Sequence, residues 1–571
     1  MYNHDLLGTR HNPLETAINK TNAGQLVEKW RYPSSDSKEN IGVIHATPIV
    51  VNGNVYFGTA TDPAFYKLHP DGTLAWSYRN PQIKVPVLGD TEKPTDTSYI
   101  NRRFQTSPNG ILASALVVGD TVYFVDIGGW VYALDSATGK ERWKLSSKAK
   151  EFPDSHFLNC FFASPIIADG KLILAGGTLE QVVAAFPGYK ASSGRGFVMA
   201  LDPASGKIIW KYDLGPKPEP LDPPIVIKDS WGEHKFYFGP ATSSIWSTPS
   251  FDAASKTIYF GTDVNTAPRR PTADNSRTDT TQSCGIIALD VGTGKERWVT
   301  QINPGDVWTN AMRAYNPEEG KYKDQSIGDT PKIYSINING APTKVVGAGC
   351  KNGGFYVLHA ETGKIIAHTP IYTGPPTYPL QPTPDRRMLA LPSPMGGLQT
   401  GCATDGKRIY TNGIDAVQLG SQEKMMDSGV QPTGGRVTAI DLDTKTEHWR
   451  HERPLIPTIG GPKPKQIFTN VGDPVASGIA LANGVVYFTT VASGKLVALN
   501  ATNGTLLKEI DLGPVWSGPS VSRGRVYIGT GNTLFSPFDF EAFFPKKYTG
   551  ELHSFGLPGE DEVERMGKGT K

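Results

Sequence analysis

One phrase recurs along the chain and constrains its fold more than any other feature. It reads Ala-Leu-Asp-x-x-Thr-Gly-Lys-x-x-Trp, and its clearest copies span residues 131–143, 198–210 and 286–298. Self-similarity of this kind is typical of repeat architectures, in which each copy is one supersecondary unit that needs its neighbours to bury a core. Looser copies occupy residues 71–76, 354–367, 437–449 and 496–507.

Each copy predicts a β-hairpin. Apolar β-formers flank a turn whose Asp can bond its own backbone and whose Gly accepts positive φ. Two hairpins in each repeat supply the four strands of a propeller blade, and the Trp is expected to pack between blades. The additional hairpin signals lie at residues 119–124, 170–174, 256–261, 406–410 and 484–488.

An eighth blade is predicted to be shared between the two ends of the chain. Residues 524–528 and 550–555 supply its inner strands, and residues 25–30 supply the outer strand. Joining them closes the ring and removes free sheet edges. The sequence therefore predicts an all-β, eight-bladed β-propeller as one domain over residues 1–571, with blades roughly from 20 to 558. The long inserts at 264–284 and 370–394 are expected to project from one face.

Composition excludes several classes of function. The net charge of +2 argues against a dedicated nucleic-acid surface. No apolar run reaches the length of a membrane span, and the polar opening residues predict no leader peptide in this chain. The sequence has no Cys-x-x-Cys-His, so we expect no cytochrome c domain. Four scattered cysteines suit neither a disulfide scaffold nor a paired-cysteine zinc site; they are Cys160, Cys284, Cys350 and Cys402.

The repeated phrase resembles the blade motif of the quinoprotein alcohol dehydrogenases, which depend on pyrroloquinoline quinone (PQQ). The likeness runs from Tyr-Asn-His-Asp at 2–5 to Phe-Gly-Leu-Pro at 555–558, and it is greatest for the polyvinyl alcohol dehydrogenase branch. It implies an enzyme with PQQ and Ca²⁺ that oxidises a secondary or bulky alcohol to a ketone or aldehyde. The substrate would be a polymer similar to polyvinyl alcohol or a hydroxylated natural product such as a mycotoxin.

The resemblance also implies an external electron acceptor, such as a separate cytochrome c, and a periplasmic or secreted location. It places a flat indole beneath the quinone at Trp246, within the Ser-Ile-Trp-Ser-Thr-Pro of 244–249. It places a cation at the quinone carbonyls at Lys351, within 347–354. The glycines of that second segment do not indicate a dinucleotide loop, because a strand follows them instead of a helix.

Two oxygen ligands for calcium follow from the resemblance. Glu180 stands after a strand, where the family has a Glu that binds both metal and cofactor, and Asn265 ends the Gly-Thr-Asp-Val-Asn turn of 261–265. Asp263 is the alternative ligand in that turn. Hard oxygen ligands suit Ca²⁺.

The general base is implied at Asp306, which we also expect among the metal ligands. Thr309 occupies the usual Asp position of the Asp-x-Trp-Asp segment, and a hydroxyl cannot serve as a carboxylate base. The loss of that carboxylate favours calcium over a lanthanide. No two cysteines are adjacent, so another group, such as Gln399, must cover the quinone. Ser164 and Ser244 are candidates for hydrogen bonds to its carboxylates.

Each candidate has a plainer interpretation. Trp246 could be an inter-blade core residue, Glu180, Asn265 and Lys351 could be solvated loop side chains, and the two serines could be turn residues. A non-enzymatic propeller, similar to the scaffolds of outer-membrane assembly, would keep the blade repeats. It would not need an acid, an indole and an ammonium group at the axis.

Overall fold

Eight sheets, each built on four antiparallel strands and three of them with a fifth strand, follow one another along the described part of the chain and form the blades of a β-propeller. The predicted all-β, eight-bladed fold is confirmed. The structure is a computed structural model, and it describes residues 1–83, 109–184, 189–229, 232–242, 244–268, 280–309, 324–371, 387–388, 396–420, 430–460, 467–531 and 550–559. Much of the two long inserts predicted at 264–284 and 370–394 lies outside these residues.

The first four blades each run from an inner strand outward in chain order. Blade 1 holds Ile49–Val51, Asn54–Gly58, Phe65–Leu68 and Leu74–Tyr78. Blade 2 holds Leu116–Val118, Thr121–Val125, Trp130–Asp135 and Glu141–Ser146. Blade 3 holds Ile166–Ala168, Lys171–Thr178, Phe197–Leu201 and Ile208–Asp213, with Asn159–Cys160 paired to its second strand. Blade 4 holds Ser250–Asp252, Thr257–Gly261, Gly285–Asp290 and Glu296–Gln301.

The last four blades also run from the inner strand outward. Blade 5 holds Lys332–Ile338, Ala341–Gly349, Gly354–His359 and Ile365–Pro370. Blade 6 holds Ala403–Thr404, Arg408–Gly420, Val430–Asp441 and Glu447–Glu452, with Arg387–Met388 on its second strand. Blade 7 holds Ala480–Ala482, Val485–Thr489, Lys495–Asn500 and Leu506–Asp511. Blade 8 holds Ser520–Ser522, Arg525–Gly529, Leu552–Gly556 and Val27–Tyr32.

Helical structure in the described residues is confined to short turns. Glu180–Val183 is an α-helical turn, and Ala23–Gln25 is a 3₁₀ turn. None of the described helices has the length and apolar character that a membrane crossing requires.

Tryptophans join neighbouring blades in the way that the repeat predicted. Trp143 Nε1 donates to the carbonyl of Pro203, 3.0 Å away in the turn of the next blade. The ring lies so close to Gly206 that a Cβ there would come within 2.7 Å of it, and Gly206 has φ +71°. Only glycine meets both demands. The same indole-to-carbonyl bond is made by Trp30, Trp76, Trp210, Trp298 and Trp449.

The ring closes as predicted, because the N-terminal strand Val27–Tyr32 pairs with the C-terminal strand Leu552–Gly556. Buried His553 faces Glu28 across this joint, with Nδ1 2.6 Å from the carboxylate. The other ring nitrogen lies 3.3 Å from Glu551. Burial alone would lower the pKa of His553, but the two carboxylates together raise it. The hydrogen bond from His553 lowers the pKa of Glu28 to about 2.

We expect this joint to make thermal stability depend on pH. A histidine whose pKa is raised by folding stabilises the folded state fully below its unfolded pKa of about 6.5. This stabilisation is lost as pH rises through the folded pKa. The stabilisation that ionised Glu28 contributes is present above about pH 4.5 and is lost as pH falls toward about 2. The Tm of wild type should therefore exceed that of His553→Gln most near pH 5.5. Thermal melts between pH 5 and 9 test this, and a difference that grows with pH contradicts it.

The five residues before each inner strand form what we call the inner turn of that blade. Inner turns of adjacent blades bond to one another: Ser517 Oγ donates to the Ala46 carbonyl at 2.8 Å, and Ser247 Oγ donates to the Asp329 carbonyl at 2.9 Å. In blade 5 the second position of the turn contacts the second positions of both neighbouring turns, since a Cβ on Gly328 would reach both Trp246 and the Gln399 carbonyl. The second positions of the eight turns are His45, Leu112, Phe162, Trp246, Gly328, Gln399, Ala476 and Trp516.

The N-terminal segment runs along the inner strands of blades 4 to 7 and so occupies the shaft beside them. Carbonyls of Leu6, Leu7, Thr9 and Arg10 accept backbone bonds from the inner edges of these four blades. Arg10 Nε also donates to the Ile479 carbonyl at 2.6 Å. The sequence did not predict this segment, because its contacts are mostly through the backbone and leave no periodic pattern.

Three two-stranded arms leave the blades on the face that carries the inner turns. One is formed by Glu219–Asp229 with Gly232–Gly239, and another by Ile456–Gly460 with Ile467–Val471. Each lies between the outer strand of one blade and the inner turn of the next. The third is the extension of Arg408–Gly420 and Val430–Asp441 beyond blade 6. These arms are not the inserts predicted to project at 264–284 and 370–394, most of which lies outside the described residues.

Candidate functional site

Trp246 lies in the inner turn of blade 4 and not between the outer strands of adjacent blades. A Cβ built on Gly328 would lie 1.9 Å from its ring, so the indole rests directly on the next inner turn. The indole neighbours Asp263 and helps to lower the pKa that burial raises there, and Lys351 Nζ lies 5.9 Å from the ring centroid. This placement differs from that of the outer-strand tryptophans. It favours the interpretation of Trp246 as a platform for a flat ligand over that of an inter-blade core residue.

Gly328→Ala is expected to weaken binding of a flat cofactor at least about tenfold, because the indole must tilt to admit the methyl group; a tenfold loss equals about 1.4 kcal/mol. Quenching of tryptophan fluorescence by added PQQ measures the affinity. Gly292→Ala is the matched control, since its Cβ would meet only Asp290 Oδ1 at 3.2 Å in a distant turn. Equal affinities for the two variants would contradict the expectation.

A buried ion pair stands beside the indole. Lys351 Nζ lies 2.6 Å from Asp324 Oδ2, and both side chains are less than a tenth exposed. Ser326 Oγ lies 2.6 Å from Asp263 Oδ1 and 3.1 Å from Asp324 Oδ1. Burial raises the pKa of Asp324 to about 7, against the opposing effect of Lys351. Burial likewise raises the pKa of Asp263.

Asp306 lies next to this cluster. Its Oδ2 accepts the backbone N–H of Gln325 at 2.8 Å, and the thiol of Cys284 lies 3.9 Å from the same oxygen. Asp306 contributes to the raised pKa of Asp324, so the two carboxylates are close enough to repel. Thr309, at the position where a carboxylate was expected, is buried.

Asn265 joins the cluster to the next loop. It forms a parallel bridge with Val307, and its carbonyl accepts the N–H of Trp308 at 2.8 Å. The side-chain oxygen of Asn265 accepts from Thr242 Oγ1 at 2.9 Å and Thr280 Oγ1 at 3.4 Å. The candidate ligand Asn265 therefore lies next to the segment that holds Asp306. Two hydroxyl groups already hydrogen-bond its side-chain oxygen.

Glu180 is fully buried and is held by its own loop. Its oxygens accept from Tyr189 Oη at 3.0 Å, from both N–H and Oγ of Ser193 at 3.0 Å, and from the N–H of Gly194 at 2.6 Å. His156 Nε2 lies 3.7 Å away. A carboxylate offers about four lone pairs, so protein donors already satisfy Glu180.

The described residues fit the two implied groups unequally. A platform, an ammonium group and buried acids meet at the axis, which suits a planar quinone with carbonyls at its edge. A calcium cage is a poorer fit. No three His, Cys, Asp or Glu side chains within the described ranges gather as metal ligands. Glu180 and Asn265 offer hard oxygens, but both are engaged by protein donors.

The remaining candidates have structural contacts. Ser164 Oγ accepts the Ser114 N–H at 3.0 Å and so joins inner turns, while the carbonyl of Ser244 accepts the Asp263 N–H at 3.4 Å. Gln399 lies on the axis in blade 6, and its Nε2 donates to the Gly396 carbonyl at 3.2 Å. Only Gln399 of the three lies at an axial position.

The four cysteines are buried and unpaired. Burial raises the pKa of Cys160 and of Cys350 to about 12, which keeps both thiols protonated. Cys350 Sγ accepts from Asn303 Nδ2 at 3.2 Å near the cluster. These thiols act as small buried packing groups.

Comparison with known proteins agrees with the geometry. The profile of the PQQ family described as "Glucose/ethanol/alcohol dehydrogenase, beta-propeller domain" matches residues 161–376, which hold nearly the whole site. The dehydrogenase subunit of a quinone-type alcohol dehydrogenase from Gluconobacter oxydans (strain 621H) is 25% identical over 91% of this chain and 68% of its own length. Over most of its length the chain is therefore similar to quinoprotein alcohol dehydrogenases.

Three further similarities accompany these matches. A polyvinylalcohol dehydrogenase from Sphingopyxis sp. (strain 113P3) is 25% identical over 90% of this chain and 70% of its own length. The quinohemoprotein alcohol dehydrogenase of Comamonas testosteroni shares the fold, with a TM-score of 0.66, 21% identity, and coverage of 98% of this chain and 80% of that one. A profile of the outer membrane protein assembly factor BamB also matches, over residues 21–188 and 433–542.

Asp324 and Ser326 were not predicted from the sequence. A usable signal was present, because Ser-Ile-Gly-Asp-Thr-Pro at 326–331 repeats the Ser-Ile-Trp-Ser-Thr-Pro at 244–249. Both phrases are inner turns with their preceding residue. Recognising that the two phrases are related would have predicted that Asp324 lies just before an inner turn.

Proposed function

We propose that this protein is a PQQ-dependent dehydrogenase that oxidises a secondary or bulky alcohol to a ketone or aldehyde. The observation that carries the proposal is the meeting of Trp246, Lys351 and buried aspartates at the axis of the propeller. Relatives named for quinone-dependent alcohol oxidation and for polyvinyl alcohol support the substrate class. The three arms around this face would give the room and the walls that a bulky alcohol or polymer needs.

When bound, PQQ supplies the two-electron acceptor for the hydrogen on the alcohol carbon. Trp246 would hold the flat ring by stacking. The ammonium group of Lys351 would lie at a carbonyl edge and stabilise negative charge that develops on oxygen. A buried carboxylate would take the hydroxyl proton, and Asp306 is the candidate that the family resemblance supplies.

Ca²⁺ is proposed from ligand chemistry, with Glu180, Asn265 and Asp306 as the oxygen donors. Protein donors already hydrogen-bond two of these groups, Glu180 and Asn265. Reconstitution with PQQ in the presence and absence of Ca²⁺, after chelation, tests the requirement. Equal activity in both conditions overturns the calcium proposal and leaves the PQQ proposal in place.

An external acceptor would take the electrons, and a separate cytochrome c in a periplasmic or extracellular compartment fits the family. The decisive experiment is reconstitution of the apo-protein with PQQ. Dye reduction is then assayed with primary alcohols, secondary alcohols and a polyvinyl alcohol oligomer. We expect turnover that needs both PQQ and an alcohol. Absence of PQQ binding and of turnover with every alcohol would overturn the proposal.

A scaffold function is the second candidate, favoured by the BamB profile match at 21–188 and 433–542. Most of these two stretches lie outside the blades and loops that carry Trp246, Asp306 and Lys351. Blade repeats alone explain such a match, since they are common to both classes. A protein that binds no PQQ but forms stable complexes with outer-membrane assembly proteins would support the scaffold instead.

A further inference from the structure

Asn3 is completely buried and bonds the inner turns of blades 4 and 5 to each other. Its Nδ2 donates to the carbonyl of Pro249, 3.0 Å away, at the end of the turn that carries Trp246. Its Oδ1 accepts from Thr330 Oγ1 at 3.0 Å, in the turn that carries Gly328. One side chain therefore joins the turn of the candidate platform to the turn on which the indole rests.

Asn3 is itself held in place by the segment that carries it. The Asn3 carbonyl accepts the N–H of Arg10 at 2.8 Å. Arg10 Nη1 donates to the Tyr2 carbonyl at 2.9 Å, and its guanidinium group lies 4.2 Å from the centre of the Tyr2 ring. Gly8 has φ +78°, and a Cβ there would lie 3.0 Å from the methyl carbon of Thr330. The Asn3 amide is thus presented to the two turns from a fixed position.

Hydroxyl side chains link the inner turns of the preceding blades, at the fourth residue of each turn. Ser164 Oγ accepts the Ser114 N–H at 3.0 Å, and Thr248 Oγ1 accepts the Ser164 N–H at 3.0 Å. These bonds run from blade 2 to blade 4. Asn3 continues the series to blade 5, because its partner Thr330 is the fourth residue of that turn.

The tilt of the Trp246 indole depends on the separation of the turns of blades 4 and 5. A Cβ on Gly328 would overlap the outer ring atoms of the indole, so the ring and the next turn are in close contact. Ser247 Oγ donates to the Asp329 carbonyl at 2.9 Å and joins the same two turns from the other direction. Because closely packed groups transmit small shifts, loosening one of these links should move the ring.

We propose that Asn3 is a positioning residue that fixes the plane of the Trp246 indole and thereby sets the affinity for the flat cofactor. The inference rests on the proposed function. Asn3 acts through the two inner turns and not by contact with the cofactor. A platform held in one orientation before binding avoids the entropy cost of ordering it when the ligand arrives.

Asn3→Ala is expected to weaken PQQ binding about tenfold, because it removes both side-chain bonds between the turns. Equilibrium dialysis of the apo-protein against PQQ, followed by the absorbance of the quinone, measures the affinity. Thr330→Val removes one of the two bonds and should weaken binding about threefold. Thr330→Ser keeps the hydroxyl group and should bind PQQ within about twofold of wild type.

The Trp246→Phe background separates a positioning role from general loosening of the fold. Phenylalanine keeps a ring for stacking but lacks the outer indole atoms Cη2 and Cζ3 that contact the turn of Gly328. If Asn3 acts through this contact, Asn3→Ala should change PQQ affinity by less than about twofold in that background. A full additional loss of about tenfold would show that the two residues act independently and would overturn the inference.

Asn12→Ala is the matched control, because Asn12 lies on the same segment and its Nδ2 donates to the Val521 carbonyl at 2.9 Å, in the inner strand of blade 8. Its PQQ affinity should stay within about twofold of wild type. Equal losses of affinity in Asn12→Ala and Asn3→Ala would overturn the inference. If Asn3→Ala does not fold, the Thr330 variants decide, and equal affinities of Thr330→Val and Thr330→Ser overturn it.

Two further outcomes separate this inference from the proposed function. A wild-type protein that binds no PQQ removes both together. A wild-type protein that binds PQQ as tightly as Asn3→Ala removes the inference alone, even if urea unfolding shows that Asn3→Ala is less stable, since that result assigns Asn3 a purely structural role.

Discussion

Lys351→Met is expected to lower kcat of the PQQ-reconstituted enzyme about 10²–10³-fold. The change removes the ammonium group 2.6 Å from Asp324 and 5.9 Å from the centroid of Trp246. Losses of this size accompany removal of one preorganised group that stabilises charge in a transition state. It also leaves Asp324 without its cation in a buried site, which should drive that carboxyl to its neutral form.

Steady-state kinetics with a secondary alcohol and a dye acceptor measure the loss for Lys351→Met. Lys344→Met is the control, since Lys344 pairs with Asp252 at 2.7 Å on the opposite face and should retain full activity. Lys351→Arg should keep part of the rate because a cation is retained. A Lys351→Met enzyme within threefold of wild type in kcat would show that no ammonium group is needed at the axis.

Asp329→Ala is expected to destabilise the fold by about 3–5 kcal/mol, the usual cost of removing one partner of a buried ion pair. Asp329 and Lys332 are a completely buried pair at the inner turn of blade 5. The same carboxylate accepts the N–H of Gly349 at 2.8 Å and the N–H of Cys402, in blade 6, at 2.9 Å. Its loss would leave the Lys332 charge and two backbone donors unpaired.

Urea unfolding, followed by tryptophan fluorescence, measures the change in unfolding free energy for Asp329→Ala. Asp120→Ala is the control, because the Asp120 side chain is 78% exposed in its pair with Arg142, and exposed pairs contribute at most about 1 kcal/mol. The double change Asp329→Ala with Lys332→Met should recover part of the loss. A single variant within about 1 kcal/mol of wild type would mean that Lys332 finds another partner.

Much of the fold could be predicted because its repeated contacts are local. The phrase ending in Trp143 encodes a turn whose Asp135 accepts two backbone N–H groups, at 3.1 and 2.9 Å. It also encodes a glycine on which the previous blade's indole rests, as Trp76 does on Gly139. Each copy of the repeat therefore carries its own sequence signal for a blade. The joint of Val27–Tyr32 with Leu552–Gly556 followed from the missing outer strand.

The candidate site was less predictable because its residues come from loops and turns that carry no period. Trp246 and Lys351 were placed by family resemblance, and the structure brings them together. Asp324 was missed because it precedes an inner turn whose axial residue is glycine, so no large side chain drew attention to it. The interpretation of Glu180 as a solvated loop residue is wrong, since it is fully buried.

The N-terminal segment beside blades 4 to 7 restricts passage through the central channel of the propeller. Because backbone atoms of Leu6, Leu7, Thr9 and Arg10 are bonded to the inner edges of four blades, that half of the bore is filled. A long flexible molecule cannot be drawn through the ring from one opening to the other on this side. On that side of the ring, a ligand would therefore enter and leave through the same opening.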